Sequence, residues 1–184
     1  MIADGPNAVG VERVPVEAGL ERLDGEAAAD RANAIWDCYR AIFPGFADVA
    51  AWRTEMFDRH RRRERLRVIV ATIAEEVVGF SWGYVGRRGQ YWSDLAYAAL
   101  PRPIADEWIG GHFEFVELGV LPAQRRHGLG RRLHDALLAD VHGRCVLSTA
   151  DDDADPAVLL YRSVGWRRLG VLSPGTQVMA LERS

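Results

Sequence analysis

The order of apolar and polar positions divides the first half of the chain into alternating strands and helices. Residues 11–17 are expected to form a first strand. Apolar residues recur at helical spacing in 30–45, and Asp48 is placed to begin a second helical stretch. Residues 66–73 are rich in β-branched side chains and 77–86 alternate, so the two segments predict a pair of strands joined by a hairpin.

The second half of the chain opens with a segment of a different character. Residues 87–111 are aromatic and contain prolines and a Gly-Gly end, which predicts an insertion with some helix. Strands are expected at 112–121 and 144–150, on either side of an amphipathic helix from Gly128. A helix after Asp155, capped by its side chain, and two closing strands, WRRLGVL and QVMALER, complete the pattern.

The predicted order is β-α-α-β-β-β-α-β-α-β-β, a mixed α/β fold with the insertion between strands 3 and 4. The strand–helix–strand segment 112–150 is its one clear parallel crossover. The chain has 184 residues, so we expect one domain over 1–184, with a loose leader at 1–10.

Composition narrows the class of protein. Apolar residues make up 48% of the chain, which is typical of a globular protein, and a net charge of −3 argues against a nucleic-acid-binding protein. The two cysteines lack metal-ligand spacing, and we expect no metal site. There is no signal pattern and no long apolar run, so a cytoplasmic protein without membrane contact is expected.

The stretch RRHGLGRRL, 125–133, combines glycine and arginine where a helix begins. The first amides of a helix have no internal partner and carry the positive end of the helix dipole, so they stabilise an anion. Glycine lets a bulky phosphate approach the backbone, and arginine matches phosphate oxygens in pairs. The segment from Arg125 to Arg131 is therefore predicted to bind a phosphate or pyrophosphate.

Two familiar phosphate-binding motifs fit this stretch poorly. A P-loop needs Gly-Lys-Ser/Thr, whereas Arg131 and Arg132 follow the second glycine. A dinucleotide-binding turn needs GxGxxG directly after its strand, but Leu133 replaces the third glycine and residues 121–127 intervene. The acidic residues at 151–153 lie at the right distance for a ribose ligand, which keeps a dinucleotide-binding oxidoreductase as an alternative.

A third pattern fits better. Val120 and Pro122, followed by Arg125, Gly128 and Gly130, resemble motif A of the GNAT superfamily of acyl-CoA-dependent N-acetyltransferases. The later segment LLYRSVGWRR, 159–168, resembles motif B of the same superfamily. The resemblance covers about 112–170, and the predicted order of elements agrees with the GNAT fold over the whole chain.

The resemblance implies a binding mode for acetyl-CoA. The pyrophosphate would lie on the loop amides, and the pantetheine arm would pair with the backbone near Leu118 and Val120. The cofactor-binding residues implied in this way are Leu118, Val120, Arg125, Arg126, His127, Gly128, Leu129, Gly130 and Arg131.

The resemblance also implies the catalytic groups. Tyr161 matches the motif B tyrosine, which often gives a proton to the leaving thiolate, although it could simply pack against CoA. An amine must lose a proton before it attacks, and Glu114 and Glu117 are both candidate bases on the strand that faces the thioester. Strict alternation would direct them to opposite faces, but this strand usually carries a bulge in the superfamily, so both remain candidates.

The expected activity is acetyl transfer to a primary amine by direct attack in a ternary complex. A small-molecule acceptor is expected, with a peptide or protein N-terminus or a non-catalytic acyl-CoA-binding module as alternatives. An aromatic wall with a carboxylate suits a cationic amine, which makes Trp82, Tyr91, Trp92 and Asp94 the candidate acceptor-binding residues. His112 and His127 are expected at the surface, and a homodimer is possible because dimers are common in the superfamily.

Overall fold

The computed structural model describes residues 17–184, which form one seven-stranded mixed sheet with helices on both faces. The strands follow the spatial order β1-β2-β3-β4-β5-β7-β6. Their bounds are β1 Gly19–Leu23, β2 Arg67–Ile73, β3 Glu76–Val85, β4 Phe113–Val120, β5 Gly143–Ala150, β6 Arg167–Ser173 and β7 Thr176–Arg183. The predicted strand at 11–17 and the predicted leader at 1–10 lie outside the described residues, apart from Glu17, which is not in a strand.

Eight α-helices lie within the described residues. They are α1 Gly25–Asp30, α2 Ala32–Ile42, α3 Val49–Trp52, α4 Asp58–His60, α5 Tyr91–Ala99, α6 Arg102–Trp108, α7 Leu129–Leu137 and α8 Pro156–Ser163. A π-helical turn, Arg53–Phe57, joins α3 to α4, so the helical stretch that Asp48 caps is continuous. The insertion forms α5 and α6, as expected. No helix in residues 17–184 is long and apolar enough to cross a membrane.

Each face of the sheet is covered by its own helices. The face that we call the α7 face is covered by α7 and α8, whose leucines and Tyr161 pack on Phe115, Leu147 and Met179. The opposite face, the α2 face, is covered in two parts. Helices α1–α4 pack over β2 and β3, and helices α5 and α6 pack over β5, β6 and β7.

The pairing of β4 changes along its length, and this positions the site. At its start, β4 runs parallel to β5, with Phe113 opposite Cys145 and Glu114 opposite Val146. No pairing with β5 continues beyond Glu114, although β4 stays paired with β3 as far as Val120. The two strands therefore part in the middle of the sheet and leave a cleft. This is the only parallel pairing in the sheet of the described chain, in agreement with the predicted crossover at 112–150.

A bulge in β4 lies next to the point where the strands part. Trp82 is paired with Glu117 and the next residue, Gly83, with Phe115, so Val116 is an extra residue in β4. Glu114, opposite Tyr84, and Glu117, opposite Trp82, consequently lie on the same α2 face. The sequence-based doubt about strict alternation in this strand was justified, because without the bulge the two carboxylates would lie on opposite faces.

Candidate active site

The loop before α7 presents backbone amides to the cleft. Gly128 precedes the helix with a left-handed φ of +77°, and no side chain in the described part of the protein caps the first turn. The amides of the first turn are therefore available to an anion. A Cβ added at Gly130 would lie 3.5 Å from Leu160 and 3.9 Å from Leu118, so this glycine faces the cleft side of the loop.

The arginines of the loop have structural partners of their own. Arg125 donates from Nε to the Val120 carbonyl at 3.0 Å and so ties the loop to the end of β4. Arg131 pairs with Asp135 at 2.9 Å, one turn further along α7. Arg126 and His127 are exposed, and Arg126 is itself left-handed with a φ of +68°. Leu129 is buried in the core, so only its amide can contribute to the loop.

Beyond Glu114, the edge of β4 that faces the cleft pairs with no other strand among residues 17–184. The Leu121 amide donates to the Val78 carbonyl at 2.9 Å, toward β3. Because backbone groups alternate along a strand, the amides and carbonyls of Leu118 and Val120 point the other way, into the cleft. Arg125 already occupies the Val120 carbonyl. The groups that remain for an added extended chain are the amide and carbonyl of Leu118 and the amide of Val120.

Glu117 is half-buried where the two strands part. Burial raises its pKa to about 7. Its charge in turn raises the pKa of Tyr39 on the α2 face and of Tyr161 on the α7 side, in both cases after the larger effect of burial. Glu117 therefore lies within electrostatic reach of both tyrosines, on the strand that borders the cleft.

Tyr161 is buried, and its ring packs edge-on against Phe115 with centroids 5.9 Å apart. Its hydroxyl makes no hydrogen bond within residues 17–184. Burial, then Glu117 and Asp155, raise the pKa of this hydroxyl, so the proton is retained at neutral pH. Asp155 caps α8, the helix that carries Tyr161, by accepting from the Ala157 and Val158 amides.

Glu114 lies deeper than Glu117, with 4% of its surface exposed. Its Oε1 accepts a hydrogen bond of 2.9 Å from the Tyr84 hydroxyl. Burial raises the pKa of Glu114 to about 7, although the Tyr84 hydrogen bond and the Arg63 charge act in the opposite direction. Two carboxylates near neutral pKa thus lie on one strand, three residues apart.

The candidate acceptor-binding residues divide into two groups. Trp92 borders the cleft: its Nε1 donates to Ser148 on β5 at 3.0 Å, beyond the last residue paired with β4. Tyr91 is 83% exposed at the start of α5. Asp94 is occupied by Arg88 and the Gly89 amide, at 3.1 and 2.9 Å.

Trp82 is placed differently from the expectation. It is fully buried in the core beneath α2–α4, where its Nε1 donates to His60 Nδ1 at 3.3 Å, and it offers no surface to an acceptor. Strand alternation directs it inward to the same layer as Phe80, which the sequence pattern alone did not reveal.

The prediction that His112 is a surface group was wrong. His112 is fully buried next to Glu114, where the Trp92 ring of the insertion covers it with ring centroids 5.9 Å apart. The Gly110-Gly111 turn folds back and donates the Gly110 amide to His112 Nδ1 at 3.0 Å. Two glycines before a strand indicate the end of a loop. No local pattern indicates that His112, the next residue, is covered by Trp92 of helix α5, which lies 20 residues earlier in the chain. His127, by contrast, is exposed.

The sequence of this chain is similar to those of known acetyltransferases. The sequence profile of the Acetyltransferase (GNAT) family matches residues 32–166, which are 135 of the 184 residues. The N-alpha-acetyltransferase RimI of Mycobacterium tuberculosis is 42% identical over 59 residues, 32% of this chain and 37% of that protein. The mycothiol acetyltransferase of Thermobifida fusca is 39% identical over 93 residues, 47% of this chain and 29% of that protein. These matches thus span well under half of either relative.

The fold agrees over a longer part of the chain. The crystal structure of the ribosomal-protein-S18-alanine N-acetyltransferase of Escherichia coli superimposes with a TM-score of 0.61, over 91% of this chain and 94% of that one, at 17% identity. At that identity the likeness concerns the fold alone. The family profile covers almost three quarters of the sequence, including the whole glycine loop. This chain belongs to the acetyltransferase (GNAT) family.

Proposed function

We propose that this protein transfers an acetyl group from acetyl-CoA to the primary amine of a small molecule. The observation that carries the proposal is the cleft between β4 and β5, which offers an unpaired strand edge at Leu118 and ends at the uncapped start of α7. An extended pantetheine arm can add to such an edge, and a pyrophosphate suits such a helix start. The thioester would then lie near Glu117 and Tyr161.

The reaction follows from the groups around that position. The neutral amine attacks the thioester carbonyl, the carbon–sulfur bond breaks, and the CoA thiolate leaves. Most of the acceleration comes from holding the amine and the thioester together. The amine loses its proton to a base, and Tyr161, which keeps its own proton at neutral pH, can protonate the thiolate.

Glu114 is our proposed base, acting through a water molecule. Its carboxyl is oriented by Tyr84, its Oε2 has no partner within residues 17–184, and its pKa of about 7 suits proton transfer near neutral pH. Glu117 is the alternative base, because it is more accessible and has a similarly raised pKa. Glu114→Gln is expected to lower kcat/KM by ~10²-fold or more and Glu117→Gln by less. The opposite order would assign the base to Glu117.

A peptide N-terminus is the second candidate acceptor. Two of the relatives above are named for alpha-amino or protein alanine acetylation, whereas the mycothiol enzyme is named for a small molecule. Acetyl-CoA should be tested by thiol release across small amines, aminoglycosides, amino acids and short peptides. Turnover with peptides alone would replace the small-molecule acceptor, and acetyl-CoA binding without thiol release for any amine would indicate a non-catalytic acyl-CoA-binding module.

A further inference from the structure

Polar atoms without partners are concentrated around Glu114. Within residues 17–184, six buried side-chain polar atoms lack a hydrogen bond, and three of them belong to Arg63, His112 and Glu114. The Arg63 guanidinium lies 6.0 Å from the centroid of the Tyr84 ring, and Tyr84 is hydrogen-bonded to Glu114. A buried polar atom without a partner costs about 1–3 kcal/mol, so such a concentration next to a reactive carboxylate calls for a physical reason.

The tautomer of His112 follows from the one hydrogen bond that its ring makes among the described residues. The Gly110 amide can only donate, so His112 Nδ1 must accept. A neutral imidazole with an accepting Nδ1 carries its proton on Nε2. Burial, followed by the charge of Arg144, lowers the pKa of His112 to about 4, so the ring is neutral at physiological pH. The unpaired atom of His112 is thus an N–H donor, whereas the unpaired Oε2 of ionised Glu114 is an acceptor.

Gly86 lies against both of these atoms. A Cβ added at Gly86 would collide with His112 Nε2 and would lie 3.1 Å from Glu114 Oε2. The donor and the acceptor therefore approach the same point beside Gly86, close enough together for a single water to bridge them. The backbone of Gly86 is fixed beside these atoms, because it is paired with the segment before β4 through the His112 carbonyl and the Gly111 amide, both at 2.8 Å.

We propose that His112 is a positioning residue for Glu114, donating from Nε2 through a water beside Gly86 to Oε2. This inference rests on the proposed function, in which Glu114 is the base. With Tyr84 on one oxygen and the His112 water on the other, the carboxylate is held in one orientation. The bridging water is also placed where it can exchange a proton with Oε2. Trp92 of the insertion covers His112, so the insertion closes this site on the outside.

Several other charged or titratable groups surround the pair and act on its pH dependence. From β3, Tyr84 donates to Glu114, and Arg63 after α4 favours the carboxylate form. Arg144 of β5 disfavours a protonated His112. His60 packs against Tyr84 with ring centroids 5.3 Å apart, and its own pKa is lowered to about 4, chiefly by burial, so it is neutral at physiological pH. Glu117 lies three residues along β4. None of these groups supplies the missing donor for Oε2.

The pH dependence of kcat/KM for the full chain distinguishes positioning from simple structural support. A donor to Oε2 stabilises the carboxylate, so its loss in His112→Leu should raise the pKa of the base and move the acid limb upward by about half to one pH unit. Activity should then fall several-fold near pH 7 and approach that of the unsubstituted protein near pH 9. His112→Gln, which keeps a donor near the position of Nε2, should restore the limb. His142→Leu, at an exposed histidine, should leave it unchanged.

An equal loss at all pH values in His112→Leu, or an unmoved limb, overturns the inference. A readout without turnover separates this failure from a failure of the proposed function. Nitrogen NMR of labelled histidine should find His112 protonated at Nε2 and not at Nδ1 between pH 5.5 and 8. Carbon NMR of the Glu114 carboxyl should give a higher pKa in His112→Leu than in the unsubstituted protein, and no rise in the other variants. If no amine is acetylated but these signals behave as stated, the pairing stands and the activity falls. An Nδ1–H tautomer or an unmoved Glu114 titration refutes the pairing itself.

Discussion

At the scale of single residues, Glu117 combines a charge with partial burial, and this makes stability depend on pH. Its pKa rises to about 7 in the folded protein, from an ordinary value of 4.5. A raised carboxyl pKa contributes stability that is fully present below 4.5 and is lost as the pH rises through 7. We expect Glu117→Gln to stabilise the protein at pH 8 by about 1 kcal/mol relative to its effect at pH 4, after allowance for partial exposure.

Urea unfolding of the unsubstituted protein and of Glu117→Gln at pH 4 and pH 8 measures this difference in the free energy of unfolding. Glu55→Gln is a suitable control, because Glu55 lies on the exposed side of the helical stretch after Asp48. If Glu117→Gln has the same effect at both pH values, Glu117 is solvated in the folded protein and its pKa is not raised by burial.

The hydroxyl of Tyr161 is the second single group with a specific consequence. Burial raises its pKa and so keeps it protonated. It makes no hydrogen bond within residues 17–184 that would stabilise the fold. Tyr161→Phe should therefore leave the melting temperature nearly unchanged and lower kcat by ~10²-fold, with little change in KM for acetyl-CoA. Steady-state kinetics measure both constants. An unchanged kcat would mean that the ring packs in the site without transferring a proton.

At the scale of elements, the start of α7 depends on one left-handed residue. Gly128 has a φ of +77° and nothing within 4 Å of an added Cβ. Gly128→Ala should cost about 1 kcal/mol of stability through backbone strain and should also raise KM for acetyl-CoA several-fold, because the strained loop no longer holds its amides in place. Gly175 in the β6–β7 turn is a matched control, with a φ of +75° and equally open surroundings. Gly175→Ala should destabilise similarly and leave KM unchanged. An equal rise of KM in both variants would point to a general loss of structure.

Element prediction succeeded where a local pattern decides the outcome. From β2 onward, every predicted strand is present. These strands have β-branched runs or alternating apolar positions, and such local patterns favour a strand. Helix α1 and strand β1 were missed. The β1 strand GLERL is short and mostly exposed, with little apolar signal, and α1 is a single short run after the Asp24 cap.

The geometry of the site was harder to predict than its sequence motifs. The bulge at Val116 and the burial of His112 depend on strand pairing and on a distant helix, which no local pattern records.

At the scale of the whole molecule, the sheet is two halves joined by a short parallel pairing. Strands β1–β4 form one antiparallel half and β5–β7 the other, and β4 pairs with β5 only at Phe113 and Glu114. Helix α7 packs on β1–β4, while α8 packs on β5. The proposed acetyl-CoA would therefore fill the space between the halves, touching the edge of β4, the start of α7 and Tyr161 of α8.

A ligand placed between two halves should stabilise the molecule and protect one edge specifically. At a concentration of ~100 Kd, acetyl-CoA should add about 2.7 kcal/mol of stability, which for a chain of this size is a rise in melting temperature of about 5–10 °C. Amide hydrogen exchange should slow at Leu118 and in the first turn of α7, and not at the outer strand β1, because only the cleft edge gains hydrogen bonds. NAD and NADP serve as controls and should produce neither effect. A thermal shift with NAD and none with acetyl-CoA would show that the glycine loop binds a dinucleotide. A thermal shift with acetyl-CoA that brings no protection from exchange at Leu118 would show that the ligand binds elsewhere on the protein.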